Sequence, residues 1–208
     1  GHIDLRGSLI APAGDVSLTA ILDGGVRVAA SGLIDTSGRW INDIKDSRAN
    51  HLQTQFIDGG DIRLQAGGGL ILERGSSLTA NGGARLSADN KLVAGNGGDI
   101  ALISGSAGGD PSVFDLGANL SAYALQHNGR LSISADRIEI ANGTNQPGYA
   151  GGTLYLSSSW LENGNFGGYS LKTTDGALKI ADGSHWQLRQ HNWQLTASAM
   201  QAASGTPL

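Results

Sequence analysis

The stretch GGDIRLQA at residues 59–66 decides the fold, because its pattern returns along most of the chain. Two glycines are followed by alternating apolar and polar residues, which places Ile62 and Leu64 on the same side of a β-strand. The pattern recurs, with small variations, in GDVSLTA (14–20), GGVRVAA (24–30), GGDIALIS (97–104), GRLSISA (129–135) and GGTLYLSS (151–158). Glycine accounts for 33 of the 208 residues. Each one costs about 1 kcal/mol inside a helix, so the sequence predicts an all-β chain.

The spacing of the pattern predicts how the strands are arranged. Gly60 and Gly98 are 38 residues apart, Gly98 and Gly129 are 31 apart, and Gly129 and Gly152 are 23 apart. These gaps fit one or two units of about 20 residues, a length typical of solenoid repeats. A unit of that size cannot bury its apolar face alone, so neighbouring units must stack. The sequence therefore predicts one parallel β-helix over residues 1–208, and a meander β-sandwich is the alternative.

Short Asn-Gly sequences mark the predicted corners between strands. Asparagine and glycine both tolerate positive φ, the backbone conformation that tight turns often require. We expect corners at NGG (81–83 and 96–98), ANG (141–143) and ENG (162–164).

One long segment departs from the strand pattern. No glycine occurs between Gly38 and Gly59, and the intervening residues are too many and too charged for a corner. We therefore predict that residues 38–58 form an excursion from the β-helix, with a short helix around residues 44–54.

Two smaller departures follow. Residues 106–117 form a polar loop that returns to the strand pattern with Phe114 and Leu116. Residues 199–208 are expected to form a frayed C-terminal end.

Composition excludes several classes of partner. The net charge is −4, with basic and acidic residues interleaved, so no basic stripe for nucleic acid is present. No run approaches the roughly 18 apolar residues of a membrane helix, so no membrane insertion is expected. The chain has no cysteine, which excludes disulfides and thiolate metal sites. The first residues lack the basic start and apolar block of a signal peptide, and we expect an internal piece of a longer protein.

Four stretches together resemble a known family. They are GHIDLRGSLIAPAGDVSLTA (1–20), LIDTSGRWIND (33–43), GGDIRLQAGGGLILERGSSLTANGGARL (59–86) and FGGYSLKTTDGALKIADGSHWQL (166–188). In texture they are similar to the filamentous haemagglutinin-like exoproteins of Gram-negative bacteria, the large secreted partners of two-partner secretion systems. The resemblance implies a right-handed β-helical shaft that is exported through an outer-membrane transporter and displayed on the cell surface.

The resemblance also implies a function. Such proteins adhere to host cells, make biofilm contacts, or carry a toxic C-terminal domain toward neighbouring bacteria. Nothing in the sequence identifies the N-terminal export domain of the family, so we expect an internal shaft segment of an adhesin or toxin-delivery protein. The expected partners are the outer-membrane transporter during export and a receptor or glycan on a host or bacterial surface. No cofactor is expected.

Acidic and histidine residues are the candidate metal ligands. Asp61 and Asp99 directly follow Gly-Gly, but the tandem nonapeptides of calcium-binding β-rolls do not occur. We expect both side chains to cap corners by accepting backbone N–H bonds. Only two of the histidines lie near each other in sequence, and no cysteine or acidic set completes a zinc site. The histidines are His2, His51, His127, His185 and His191. No metal site is predicted.

Polysaccharide cleavage is the enzymatic alternative. A hydrolase needs two carboxylates about 5–10 Å apart on one face. Asp58, Asp61 and Asp99 could stack on successive units, with Arg63 close by. The clustered acidic, Gly-His-Gly or Arg-x-Lys arrangements of pectin-degrading enzymes are missing from the sequence. We therefore predict no enzyme activity and no catalytic residue.

Aromatic residues are the remaining candidates and could form a carbohydrate-stacking platform. Trp40, within the excursion, is the predicted partner-contact residue, although it could equally hold its loop against the shaft. Trp186 and Trp193 are instead expected to cover the end of the apolar core. The full set is Trp40, Trp160, Trp186, Trp193, Tyr149, Tyr155 and Tyr169.

Overall fold

The computed structural model describes residues 1–45, 56–105, 112–143 and 147–206. These residues form an all-β fold with twenty short strands and two short helices. The strands are β1 (Ile3–Leu5), β2 (Ser8–Ile10), β3 (Val16–Ala20), β4 (Gly25–Val28), β5 (Leu33–Asp35), β6 (Trp40–Asn42), β7 (Ile62–Ala66), β8 (Gly69–Leu72), β9 (Ser77–Thr79), β10 (Ala84–Leu86), β11 (Leu92–Ala94), β12 (Ile100–Ser104), β13 (Val113–Leu116), β14 (Asn119–Ser121), β15 (Arg130–Ala135), β16 (Arg137–Ala141), β17 (Gly148–Ala150), β18 (Thr153–Ser157), β19 (Gly168–Thr173) and β20 (Leu178–Ile180). The helices are α1 (Ser158–Asn163) and α2 (Ala197–Met200).

The strands form five sheets, and nearly every strand pair is parallel. In order of pairing they are sheet 1 (β1-β4-β8-β13), sheet 2 (β2-β5-β9-β14), sheet 3 (β3-β7-β12-β15-β19), sheet 4 (β6-β10-β11) and sheet 5 (β17-β18-β16-β20). Among the described strands, only the β10–β11 and β17–β18 pairs are antiparallel. Parallel neighbours cannot be joined by a tight hairpin, so the chain must travel away and return between paired strands.

The chain makes this return repeatedly, and we call each circuit that starts at a strand of sheet 3 a pass. The passes start at β3, β7, β12, β15 and β19, and the first two visit sheets 3, 1, 2 and 4 in the same order. Register is kept from one pass to the next. Along sheet 3, Val16 pairs with Ile62, Ile62 with Ile100, Ile100 with Leu131, and Leu131 with Tyr169. Equivalent side chains therefore stack above one another.

Stacking of alternate residues builds the core. In β12 the inward residues Ile100 and Leu102 are fully buried, whereas Ala101 and Ile103 are partly exposed. Residues from four passes, from Val16 to Phe166, join in one apolar cluster. The predicted inward positions Ile62 and Leu64 belong to it and are confirmed as buried.

The spacing of the last units was predicted wrongly. Gly152 precedes β18, which lies in sheet 5, whereas Arg130 at the start of β15 pairs with Gly168 at the start of β19. The next pass therefore begins near Gly168. The error arises because Gly-Gly followed by alternating residues precedes strands of several sheets, so the pattern alone does not identify the sheet.

The corner glycines are also present for a different reason from the one predicted. Neither Gly83 nor Gly98 has a positive φ, and the same holds for Gly143 and Gly164. In the NGG corners the glycines allow close approach of backbones. A Cβ on Gly83 would lie 2.3 Å from the Arg39 carbonyl oxygen of the adjacent pass.

The first residues of the predicted excursion form a strand. Trp40, Ile41 and Asn42 form β6 and pair in parallel with β10, so residues 38–43 belong to the stack. The chain is described again from Phe56, whose carbonyl oxygen accepts a hydrogen bond from the Arg39 N–H at 2.7 Å. Most of the predicted helix at 44–54 lies outside the described residues, as do residues 106–111 of the predicted loop at 106–117. Phe114 and Leu116 are buried in β13, as their pattern predicted.

The C-terminal residues are not frayed over the described range. Residues 184–206, here called the strap, run from the end of β20 back to β6. The Gly205 N–H donates to the Trp40 carbonyl oxygen at 2.8 Å, and the Trp40 N–H donates to the Thr206 carbonyl oxygen at 3.2 Å. The open edge of β6 is therefore covered by the strap.

Candidate functional site

A column of aspartates lies at the corner that precedes sheet 3. Asp15 Oδ1 accepts the Asp61 N–H at 2.8 Å, and Asp61 Oδ1 accepts the Asp99 N–H at 2.8 Å. Asp99 Oδ1 in turn accepts the Arg130 N–H at 2.7 Å. The prediction that Asp61 and Asp99 cap corners through backbone N–H groups is confirmed.

The three carboxylates considered for catalysis, those of Asp58, Asp61 and Asp99, each accept a hydrogen bond from a backbone N–H. Asp58 Oδ1 accepts the Asn96 N–H at 2.7 Å, one corner away from the column. Arg63 donates to the Gln65 side chain at 3.0 Å. These contacts give each carboxylate a role in holding one pass on the next.

Removal of one member of the column should weaken the stack. We expect Asp99→Ala to lower the free energy of unfolding by about 1 kcal/mol, because the exposed Arg130 N–H exchanges its carboxylate acceptor for water. Urea denaturation followed by circular dichroism measures this loss. Asp99→Asn keeps an oxygen at Oδ1 and should lose less; equal losses in the two variants would contradict the capping role.

A polar groove lies between α1 and the first part of the strap. It has a volume of about 340 Å³ and is lined by Glu162, Asn163, His185, Gln187, Arg189 and His191. Glu162 Oε1 accepts the Gln187 N–H at 2.7 Å, which holds the strap against the helix. The groove brings together the two histidines that are close in sequence. Its described lining contains a single carboxylate, Glu162, and glycoside hydrolysis requires a pair.

The described histidines and carboxylates form no metal-binding group. Among the described residues, no three histidine or acidic side chains are grouped closely enough to hold a metal ion. His2 Nδ1 accepts the Gly25 N–H at 3.0 Å, and His127 is exposed. His51 lies outside the described residues.

The seven candidate aromatic residues do not form an exposed row. Only Tyr149 and Tyr155 are exposed. Trp160, Trp186 and Tyr169 pack against the main core. Trp193 stacks on Tyr123, with 5.7 Å between ring centroids and 15° between planes.

Trp40 is the side chain whose position differs most from the prediction. It is fully buried, and it packs with Ala84, Leu86 and partly buried residues of the strap. Its Nε1–H donates to the Ala202 carbonyl oxygen at 3.0 Å. A buried indole offers no surface to a partner, so the structure contradicts partner contact by Trp40. The indole instead holds the strap against the stack.

No protein-family model, characterised protein or solved structure matches this chain. The resemblance to filamentous haemagglutinin-like exoproteins therefore stays a prediction. The two helices of the described chain have six and four residues, and no helix there is long and apolar enough to cross a membrane.

A chain of charges runs along the outer face of sheet 1, across neighbouring passes. Arg27 lies between Asp4 and Glu73; its Nε–H donates to Glu73 Oε1 at 2.9 Å, and its guanidinium reaches Asp4 Oδ1 at 3.1 Å. The hydrogen bond from Arg27 lowers the pKa of Glu73, as does a second one from the Ala30 N–H. The pKa of Asp4 is lowered mainly by its hydrogen bond from Arg6 and further by Arg27.

These lowered pKa values predict a pH-dependent contribution to stability. A carboxylate with a lower pKa in the folded state stabilises the fold above its ordinary pKa of about 4, and this contribution is lost as pH falls through the folded pKa. Arg27→Gln should therefore be less stable than the parent chain at neutral pH, with the difference shrinking below about pH 4. Urea titrations across this range measure it, with Arg74→Gln as an exposed control. A difference that persists at low pH would contradict the ion-pair origin.

Proposed function

We propose that this chain is a structural segment of the shaft of a secreted, surface-displayed protein, built as a right-handed parallel β-helix. The observation that carries the proposal is the ladder of sheet 3. Five strands that are far apart in sequence pair in parallel and in constant register, with Val16 at one end and Tyr169 at the other. The hand follows from general stereochemistry, because crossovers between parallel strands of one sheet are right-handed in about 98% of cases.

Both ends of the stack support a shaft. Sheets 1, 2 and 3 begin with β1, β2 and β3, and sheet 3 ends with β19. No described strand pairs with the outer edges of these terminal strands. Exposed apolar side chains lie on or beside the first strands of the stack and on β20; they include Ile10, Ile21, Leu22, Leu178 and Ile180. Open edges and apolar ends are suited to pairing with further passes of the same kind.

The resemblance to filamentous haemagglutinin-like exoproteins extends the proposal to adhesion or toxin delivery. The shaft then sets the reach of a binding or toxic domain from the cell surface. Export through an outer-membrane transporter suits a chain without cysteine, since no disulfide can form before passage. Pass-by-pass folding outside the cell suits a structure whose stability comes from nearest-neighbour interfaces.

Secretion behind a two-partner export domain tests this function. The chain is fused downstream of such a domain and is co-expressed with the matching transporter in a Gram-negative host. We expect antibody labelling of intact cells, and a filament that lengthens by about 4.8 Å for each added pass when it is imaged by electron microscopy. Retention of the folded chain in the periplasm, or no lengthening, would count against a shaft.

The enzymatic alternative has a separate readout. Purified chain is incubated with uronate-containing polysaccharides, and released reducing ends or unsaturated products are measured. The shaft proposal predicts none, and equal background from Asp61→Ala is the matched comparison. Turnover that Asp61→Ala abolishes would replace the proposal with a polysaccharide-active enzyme.

A further inference from the structure

Five Asn-Gly pairs make the chain a candidate for spontaneous deamidation. In such a pair the glycine backbone nitrogen attacks the asparagine side-chain amide carbon, ammonia leaves, and a five-membered succinimide forms. Water then opens the ring to give aspartate or isoaspartate. The reaction needs a glycine nitrogen that is free of its hydrogen bond, and a backbone that can move toward the side chain. The pairs are Asn81-Gly82, Asn96-Gly97, Asn128-Gly129, Asn142-Gly143 and Asn163-Gly164.

In four pairs the fold holds the glycine nitrogen. Gly82, Gly97 and Gly129 donate to backbone carbonyl oxygens elsewhere in the stack, and Gly164 is held by the last turn of α1. The bonds are Gly82 N to Tyr123 O at 2.7 Å, Gly97 N to His127 O at 2.9 Å, Gly129 N to Ala122 O at 2.9 Å and Gly164 N to Leu161 O at 3.4 Å. The glycine nitrogen of each pair must break this bond before it can attack.

Gly143 differs from these four glycines. Its N–H has no hydrogen-bond acceptor among the described residues, and both Asn142 and Gly143 are exposed just after the end of β16. The space around Gly143 is open, since a Cβ there would meet only the Ser157 Cβ, at 3.9 Å. We propose that Asn142 is the fast deamidation site of this chain and that its conversion loosens the start of the strap.

The second part of the proposal follows from what the Asn142 side chain holds. Asn142 Nδ2 donates to the Gly183 carbonyl oxygen at 2.6 Å, and Asn142 Oδ1 accepts the His185 N–H at 3.1 Å. Aspartate has no N–H to donate, so a carboxylate oxygen would face the Gly183 carbonyl oxygen. Isoaspartate also adds a methylene to the main chain and displaces the carboxylate. Aspartate therefore replaces the Gly183 contact with a repulsion and keeps only the acceptor for the His185 N–H, whereas isoaspartate displaces both contacts at the start of the strap.

Peptide mapping by mass spectrometry tests the site. The folded chain is incubated at mildly alkaline pH, and conversion of each asparagine is followed over days beside the same chain in urea. We expect the Asn142 peptide to convert several times faster than the other four in the folded chain, and all five at similar rates in urea. Another Asn-Gly pair converting as fast as Asn142 in the folded chain, or no difference between the five, would overturn the assignment.

Two variants separate the modification from its consequence. Gly143→Ala keeps the Asn142 side chain and should slow its conversion several-fold without loss of stability. Asn142→Asp reproduces the aspartate product and should increase amide hydrogen exchange in residues 184–193, while exchange in sheet 3 stays as in the parent. Unchanged exchange in the strap would show that conversion does not loosen it. Neither result depends on the role of the chain as a shaft.

Discussion

Gly98→Ala is expected to lower the free energy of unfolding by about 3 kcal/mol or more, at the upper end of the cost of overpacking. A Cβ at this position would lie 2.1 Å from the Gly60 carbonyl oxygen of the preceding pass. The clash involves backbone on both sides, so no side-chain rotation relieves it. Gly60 and Gly129 stand in the same column, and their Cβ atoms would lie 2.4 Å and 1.9 Å from the carbonyl oxygens of Gly14 and Gly98. A backbone shift that relieves the clash at any one of these glycines therefore moves two neighbouring passes apart.

Urea denaturation measures this loss, and Gly7→Ala is the matched control. A Cβ on Gly7 meets no atom within 4 Å, so this substitution should change the stability little. If Gly98→Ala unfolds at the same urea concentration as the parent chain, the backbones of neighbouring passes are not in contact at this corner. If the variant does not fold at all, Gly129→Ala should fail in the same way.

Trp40→Ala is expected to cost about 3–5 kcal/mol, the usual range for removal of a fully buried large aromatic side chain. The indole fills the space between β10 and the strap, and the Ala202 carbonyl oxygen loses one of its two donors, keeping only the Asn42 side-chain amide. Amide hydrogen exchange should rise in residues 195–206 in particular, because the strap loses its anchor there.

A conservative variant distinguishes packing from the hydrogen bond. Trp40→Phe keeps much of the apolar volume but removes the Nε1–H donor, so it should lie between the parent and Trp40→Ala in stability. If Trp40→Ala is as stable as the parent and instead loses binding to cells or glycans, the residue is exposed in solution, and the original partner-contact prediction is right.

Short repeated patterns in the sequence were enough to predict core positions and corner caps. Alternation of apolar residues placed Ile62 and Leu64 in the core, and aspartate after Gly-Gly predicted the caps at Asp61 and Asp99. Each of these features depends on a few consecutive residues and on an adjacent pass in which the same short pattern recurs.

Long-range contacts explain what the sequence did not reveal. The burial of Trp40 depends on its contact with Ala202, which is 162 positions away along the chain. No periodic pattern in the sequence predicts this contact. The polar groove likewise depends on how Glu162 meets the strap. The last pass starts at Gly168 and not at Gly152, because β19 joins sheet 3 whereas β18 joins sheet 5. The sequence did not distinguish them, since strands of different sheets share one pattern.

The central claim is that successive passes stack in register, and spin-label distances along sheet 3 test it most directly. Gln65, Ile103, Ser134 and Lys172 are paired neighbours on the outward side of four consecutive strands. The chain has no cysteine, so pairs of introduced cysteines can carry the labels. From position 65, the backbone distances to 103, 134 and 172 should rise in steps of about 4.8 Å per strand. A distance from 65 to 172 that is no longer than that from 65 to 134, or a broad distribution for any pair, would contradict the stacked arrangement.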